Sequence, residues 1–195
     1  MQALIDPSPA AAVTVPPLSA YAGWRTWIAI QQEQMIAAED LVRRRYAQRG
    51  YRLAAERGPR ITLLAESHGQ LIGTLTVRPD SPEGLLAERT YAEEIARMRS
   101  DGHRLGELVQ LAVEEGADWK QALDGLVQSA YLITRVLHAL TDVVIEVNPR
   151  HVRFYQRVFG FVQAATERVC ERAGAPAVLL RLDLEQFGQR LRLAA

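Results

Sequence analysis

The chain has 195 residues, 48% hydrophobic and 24% charged, with 23 Lys+Arg against 23 Asp+Glu and a formal net charge of +0. This balance suits a soluble globular domain and gives no global pull toward nucleic acid or an anionic membrane. Cys170 is the only cysteine, so no disulfide forms within the chain, and a reducing, cytoplasmic setting is expected. The four histidines (His68, His103, His138, His151) lack ligand spacing, so no metal site is expected. No apolar run is long enough for a transmembrane segment, and the N-terminus lacks the pattern of a signal peptide. Lys120 is the only lysine, so nearly all basic charge is arginine.

Residues 1 to about 20 are rich in Ala and Pro and read as a flexible tail, leaving 21–195 as one domain. Trp24 to Ile30 reads as a strand. Gln32 to Arg49 reads as a helix, with Met35, Ala38, Val42 and Tyr46 at helical spacing and Gly50 ending the run. Arg60 to Ser67 and Gln70 to Arg78 read as strands joined by a His68-Gly69 turn. A loop over Asp80–Gly84 leads to a short helix from Arg89 to Arg99, then a strand from Leu105 to Val113. Trp119 to Leu140 carries Leu123, Leu126, Ala130, Ile133 and Leu137 on one helical face. The run Val143-Val144-Ile145 is a strand that stops at Asn148-Pro149, and Pro149 suits the first position of a helix. Gly160-Phe161 ends that helix. Two further strand-like runs and a terminal helix from Leu184 to Leu193 complete the chain. Hairpins early and helix-joined strands late indicate an α+β fold, a mixed sheet packed between helices.

The stretch Asn148 to Phe161, NPRHVRFYQRVFGF, resembles the N-P-R-H-x-x-F-Y-x-x-x-x-G-F signature of long-chain N-acyl amino acid synthases. These are GNAT-fold acyltransferases related to the acyl-homoserine lactone autoinducer synthases. GTLTVRPDSPEGLLAE, YAEEIARMRSDGHRLGELVQLAV and APAVLLRLDL resemble other stretches of the same family, so the likeness runs from about Trp24 to Leu184. The resemblance implies a GNAT fold and transfer of a long fatty acyl group from acyl carrier protein to the amine of an amino acid. The donor it implies is an acyl-phosphopantetheine thioester, with no tightly bound cofactor. Two positions depart from the family pattern. Gln110 stands where the central strand usually carries Arg, and Thr76 stands where the hairpin exit often does. Arg78, two residues on, shares a strand face with Thr76 and is the expected substitute for binding the acceptor's carboxylate.

Aminolysis of a thioester needs a neutral amine, a stabilised oxyanion and a proton for the leaving thiolate. Tyr155 is the expected acid. Glu107, a charge inside an apolar strand, and Glu94 are the expected bases or amine-positioning groups. Arg78, Gln110 and Asn148 are expected at the substrate, and Leu85, Leu86, Ile95 and Met98 along an acyl tunnel. Arg150, Arg153 and Arg157 fall on one helix face and are expected to dock the acidic carrier protein, with Arg43, Arg44, Arg45 and Arg49 as a second basic cluster. After the central strand, Glu114-Glu115-Gly116-Ala117-Asp118 has one glycine and three carboxylates. Ordinary GNAT enzymes place a glycine-rich pyrophosphate cradle there, so like charge argues for a carrier protein over coenzyme A. The alternatives are a coenzyme-A-dependent N-acetyltransferase, an autoinducer synthase using S-adenosylmethionine, and a non-catalytic acyl-binding protein.

Overall fold

The computed structural model describes residues 17–21, 23–51, 58–116 and 118–194. Among the described residues nine strands form the sheet. They are β1 (Ser19–Tyr21), β2 (Trp24–Ile28), β3 (Ile61–Ser67), β4 (Gln70–Pro79), β5 (Leu105–Val113), β6 (Asp142–Val147), β7 (Val162–Gln163), β8 (Arg168–Cys170) and β9 (Ala175–Asp183). Their order is β1-β2-β3-β4-β5-β6-β9-β7, with β8 on β9. The helices are α1 (Gln32–Ala47), α2 (Glu88–Ser100), α3 (Trp119–Tyr131), α4 (Val152–Phe159) and α5 (Leu184–Ala194). This is the mixed α+β sheet that the sequence indicates.

Alternation along β3 explains the two layers. Leu63 and Ala65 pack under α3 with Leu126 and Ala130, whereas Leu64 packs under α1 with Ala38. Tyr91, Ile95 and Met98 of α2 cover the same face as α1, against Leu105, Val144 and Leu179. On the other face α4 and α5 join α3 around Ile145, Leu180 and Phe187. His68 and Gly69 both have positive φ, 47° and 82°, so the β3–β4 hairpin turns tightly where expected.

Three expectations need correction. Ser19–Tyr21 is a strand paired with Trp24–Thr26, so the ordered domain starts inside the stretch read as tail; residues 1–16 lie outside the described residues. The long helix stops short of Leu140: it is α-helical to Tyr131 and π-helical from Leu132 to Leu137. Thr134 Oγ1 accounts for part of this by donating to the Ala130 carbonyl at 2.7 Å, a back-bond that loosens the regular ladder. The final sheet segment contains three strands rather than two, because β7 and β8 both pair with β9.

Candidate active site

The site originates in the only parallel pairing among the described strands. β5 and β6 stay in register for three positions, Leu105–Glu107 against Asp142–Val144, and then part. The cause is a bulge. Between Thr74↔Ala112 and Thr76↔Val109, β5 holds two residues, Gln110 and Leu111, against one on β4. Gln110 takes φ +54°, unusual for a side chain other than glycine. A bulged strand bends, so β5 follows β4 away from β6. The gap becomes a cavity of about 240 Å³ walled by Leu108–Val113 of β5 and Ile145–Asn148 at the end of β6. It passes through the sheet. Its far end is apolar, formed by Val127, Ala130 and Tyr131 of α3, Leu182 of β9 and Phe187 of α5.

Pro149 opens a 3-10 turn, Pro149–His151, that runs into α4. Asn148 caps this turn, its Oδ1 accepting from the Arg150 N–H at 3.2 Å, while its Nδ2 donates to Tyr51 Oη at 3.0 Å. Gly160 ends α4 with φ +83°, a left-handed cap in which its N–H donates to the Tyr155 and Gln156 carbonyls. The turn and cap fix Tyr155 on the cavity wall, edge-on to Phe154 and Phe161 with ring centroids 5.4 and 5.7 Å away. Burial pushes its phenol up to about 12, against a weaker opposing pull from Arg49. Tyr155 therefore stays protonated at neutral pH and has a proton to give.

Glu107 is fully buried on β5 but does not itself wall the cavity. Burial pushes its carboxyl up to about 7, opposed by the charge of Arg172 and by the Leu86 N–H, which donates to Oε2 at 2.6 Å. Arg172, in the β8–β9 turn, lies 3.8 Å from Glu107 Oε1 and is hydrogen-bonded to Glu146 Oε2. Arg172 and Glu146 both line the cavity. Two buried carboxylates thus share one guanidinium beside the cleft.

Several expected site residues are placed elsewhere. Glu94 pairs with Arg168 at 2.5 and 3.0 Å, and Arg168 also donates to the Thr90 carbonyl and stacks over Tyr91. Burial raises the Glu94 carboxyl, and the Arg168 bonds and charge outweigh it, holding Glu94 below its ordinary value. Glu94 fastens α2 to β8 and does not reach the cleft. Ile95 and Met98 on the buried face of α2 and Leu85 just before it are core residues, and Leu86 is buried beside Glu107; none lines this cavity. Arg78 shares the face of Thr76, as two-residue spacing requires, and sits opposite Glu107 across β4–β5. It is buried and lies off the cavity wall. Thr76 and Gln110 touch each other, Thr76 Oγ1 to Gln110 Oε1 at 3.4 Å, and Gln110 and Asn148 do line the cavity.

The acidic loop is not bare negative charge. Arg44 meets Glu114 at 2.8 Å and Arg45 meets Glu115 at 2.6 Å. Asp118 accepts from Ser67 Oγ at 2.8 Å. The like-charge argument against a pyrophosphate is weakened accordingly. Arg43 pairs with Asp40, so three of the four residues of the second basic cluster are engaged, leaving Arg49 exposed at the cavity mouth. Arg150, in the 3-10 turn and so off the α4 face expected for it, and Arg153 and Arg157 on α4 are exposed, and Arg150 Nε donates to His151 Nε2 at 3.1 Å. His151 also lines the cavity; burial, then the charges of Arg150 and Arg49, hold its imidazole below its ordinary value. Among the described residues no group of three or more His, Cys, Asp or Glu is placed to hold a metal ion, and no helix is long and apolar enough to cross a membrane.

Sequence reading missed Glu146, Arg172 and Tyr131. Glu146 had the signal that singled out Glu107, a charge inside an apolar strand, in Asp142–Val147. Arg172 had none, being one arginine among many in a turn.

Solved structures share the architecture. FeeM, an N-acyl amino acid synthase from uncultured soil microbes, superposes with a TM-score of 0.78 at 24% identity, covering 85% of this chain and 93% of its own. The AHL synthase LasI gives 0.57 at 13% identity, covering 83% and 90%. A mutant of the spermidine N-acetyltransferase SpeG from Vibrio cholerae gives 0.57 at 12% identity, covering 87% and 98%. No curated protein sequence matches significantly. The family model of the N-acyl amino acid synthase FeeM matches residues 37–183, spanning the hairpin, the bulged strand, the cleft and the Tyr155 helix. The chain therefore belongs to the FeeM family of N-acyl amino acid synthases and is an acyltransferase with the GNAT fold.

Proposed function

We propose that the protein moves a long-chain fatty acyl group from the phosphopantetheine thioester of acyl carrier protein to the amine of an amino acid or similar primary amine. The observation that carries this reading is the cavity itself. It runs from a mouth flanked by arginines, past the half-buried Tyr155 phenol, into an apolar end between α3 and α5. A thioester arm lying between β5 and β6 puts its carbonyl near the bulge. The β5 edge beyond Glu107 has no β6 partner, so its N–H groups suit a developing oxyanion. The neutral amine attacks the carbonyl carbon, the C–S bond breaks, Tyr155 gives the departing thiolate its proton, and the proton lost by the nitrogen restores Tyr155. The acyl chain fills the apolar end, where each methylene removed from water contributes about 0.8 kcal/mol.

Arg150, Arg153 and Arg157 form the docking face for the carrier in this reading. A coenzyme A thioester is the second reading, and the pairing of Glu114 and Glu115 with Arg44 and Arg45 favours it, because the loop no longer repels a pyrophosphate. One assay separates the two. Purified protein is incubated with long-chain acyl carrier protein or long-chain acyl-CoA and a panel of amino acids, and N-acyl products are followed by mass spectrometry. Product from the carrier thioester supports the proposal. Product from acyl-CoA alone supports the second reading. Acyl binding without product from either supports a non-catalytic role.

A further inference from the structure

Glu146 projects from β6 on the face it shares with Val144, and it lines the cavity although its side chain is only 4% exposed. One carboxylate oxygen, Oε2, accepts from Arg172. The other, Oε1, has no hydrogen-bond partner among the described residues. Such a buried acceptor is costly unless something donates to it. Glu107 behind it, whose carboxyl burial raises toward the protonated form, also has an oxygen, Oε1, without a hydrogen bond, so Glu146 is the carboxylate that faces the cavity. The groups facing Glu146 are Arg172 from the β8–β9 turn, Glu107 from β5 and Tyr91 from α2. Only one of these is a cation. The cluster is complementary to a further positive N–H donor entering from the cavity.

We infer that Glu146 is the docking group for the acceptor's ammonium and takes its first proton, so that the acceptor is selected as a cationic primary amine. This deepens the proposed acyl transfer and rests on it. The proton balance is complete. The ammonium gives one proton to Glu146 and becomes a neutral amine. The amine forms the C–N bond and the C–S bond breaks. The second nitrogen proton replaces the one that Tyr155 gives to the thiolate, and Glu146 passes its own to solvent. The net products are an amide, a thiol and one proton.

The test is Glu146→Gln, which keeps an acceptor for Arg172 and removes the charge. With the best amino acid of the panel, KM for the acceptor should rise about 10- to 100-fold near neutral pH, the size expected for one charge-assisted hydrogen bond. The defect should shrink as pH rises and the amine becomes neutral. Hydroxylamine, already uncharged at neutral pH, should react with wild type and variant at similar rates. Wild-type acceptor KM and an unchanged pH profile in the variant would overturn the inference. A wild-type protein that acylates no amine at all defeats the proposed reaction instead. Binding then decides the inference: by calorimetry, wild type should prefer hexylamine to hexanol at least about tenfold, and equal binding overturns it. The same wild-type comparison decides the matter should Glu146→Gln fail to fold.

Discussion

Glu107→Gln should flatten the dependence of stability on pH. In the folded protein burial pushes the Glu107 carboxyl from an ordinary 4.5 to about 7. Between those values the folded state keeps a proton that the unfolded chain has lost, so stability falls as pH rises through the window. The gap corresponds to a cost of about 3 kcal/mol above pH 7, an order-of-magnitude figure for a carboxyl so close to Glu146 and Arg172. Glutamine cannot ionise, and it still offers an oxygen to the Leu86 N–H. It also keeps the Arg172–Glu146 hydrogen bond. Its amide meets Arg172 less well than a carboxylate does, which adds a fixed penalty at every pH. The informative quantity is therefore the slope. Urea melts of both proteins from pH 4.5 to pH 8 should show the variant gaining about 3 kcal/mol relative to wild type, or roughly 6–12 °C in Tm for a chain of this size. Parallel curves would refute the claim that Glu107 is held protonated by burial.

Tyr155→Phe keeps the ring among Phe154, Phe159 and Phe161 and removes the proton donor. Acyl transfer should drop about 100-fold or more with the Tm nearly unchanged, as steady-state kinetics and a thermal melt will show. Glu94→Gln should leave the acyl-transfer rate within about twofold of wild type and cost about 1 kcal/mol of stability, since its partner Arg168 is 39% solvent-exposed. A catalytic defect there would return Glu94 to the mechanism. Reversing Arg150, Arg153 and Arg157 to Glu should raise KM for acyl carrier protein at least about tenfold, with a matching loss of salt dependence, and spare a short acyl-pantetheine thioester. Ala130→Leu narrows the apolar end of the cavity, so product profiling should show a shift toward shorter acyl chains.

The fold was legible where local chemistry decides structure. Asn148-Pro149 stops a strand because the residue before proline stays extended, and Gly160 stops a helix because it adopts φ +83° without strain. Tyr155 and Asn148 could be placed at the cleft from that junction. Glu94 could not be excluded from it, because a helix exposes several faces and only the tertiary packing puts Arg168 over this one. Leu85 and Met98 have the apolar character of a tunnel wall and of a core alike, and burial under α2 separates the two. The Glu114–Glu115 loop misled for a related reason. Sequence shows the carboxylates, whereas their neutralisation depends on Arg44 and Arg45, about 70 residues earlier on α1.

The bulge at Gln110 links the two departures from the family pattern. An extra residue on β5 between Thr76↔Val109 and Thr74↔Ala112 brings the Gln110 side chain against Thr76. Thr76 and Gln110, the two departures from the resembled pattern, are thus neighbours across one strand pair and meet through a neutral contact. Beyond that contact Arg172 and Glu146 line the cavity, with Glu107 buried behind them. Under the proposed acceptor site, a neutral Thr76–Gln110 wall weakens the hold on an acceptor's carboxylate and leaves its ammonium to Glu146. A primary amine lacking a carboxylate should lose less here than at a wall with arginine in both positions. Gln110→Arg should accordingly improve KM for amino acids about tenfold, the size of one hydrogen bond to a charged group, and leave KM for simple alkylamines unchanged. Equal effects on both acceptor types would show that Gln110 does not face the acceptor's carboxylate.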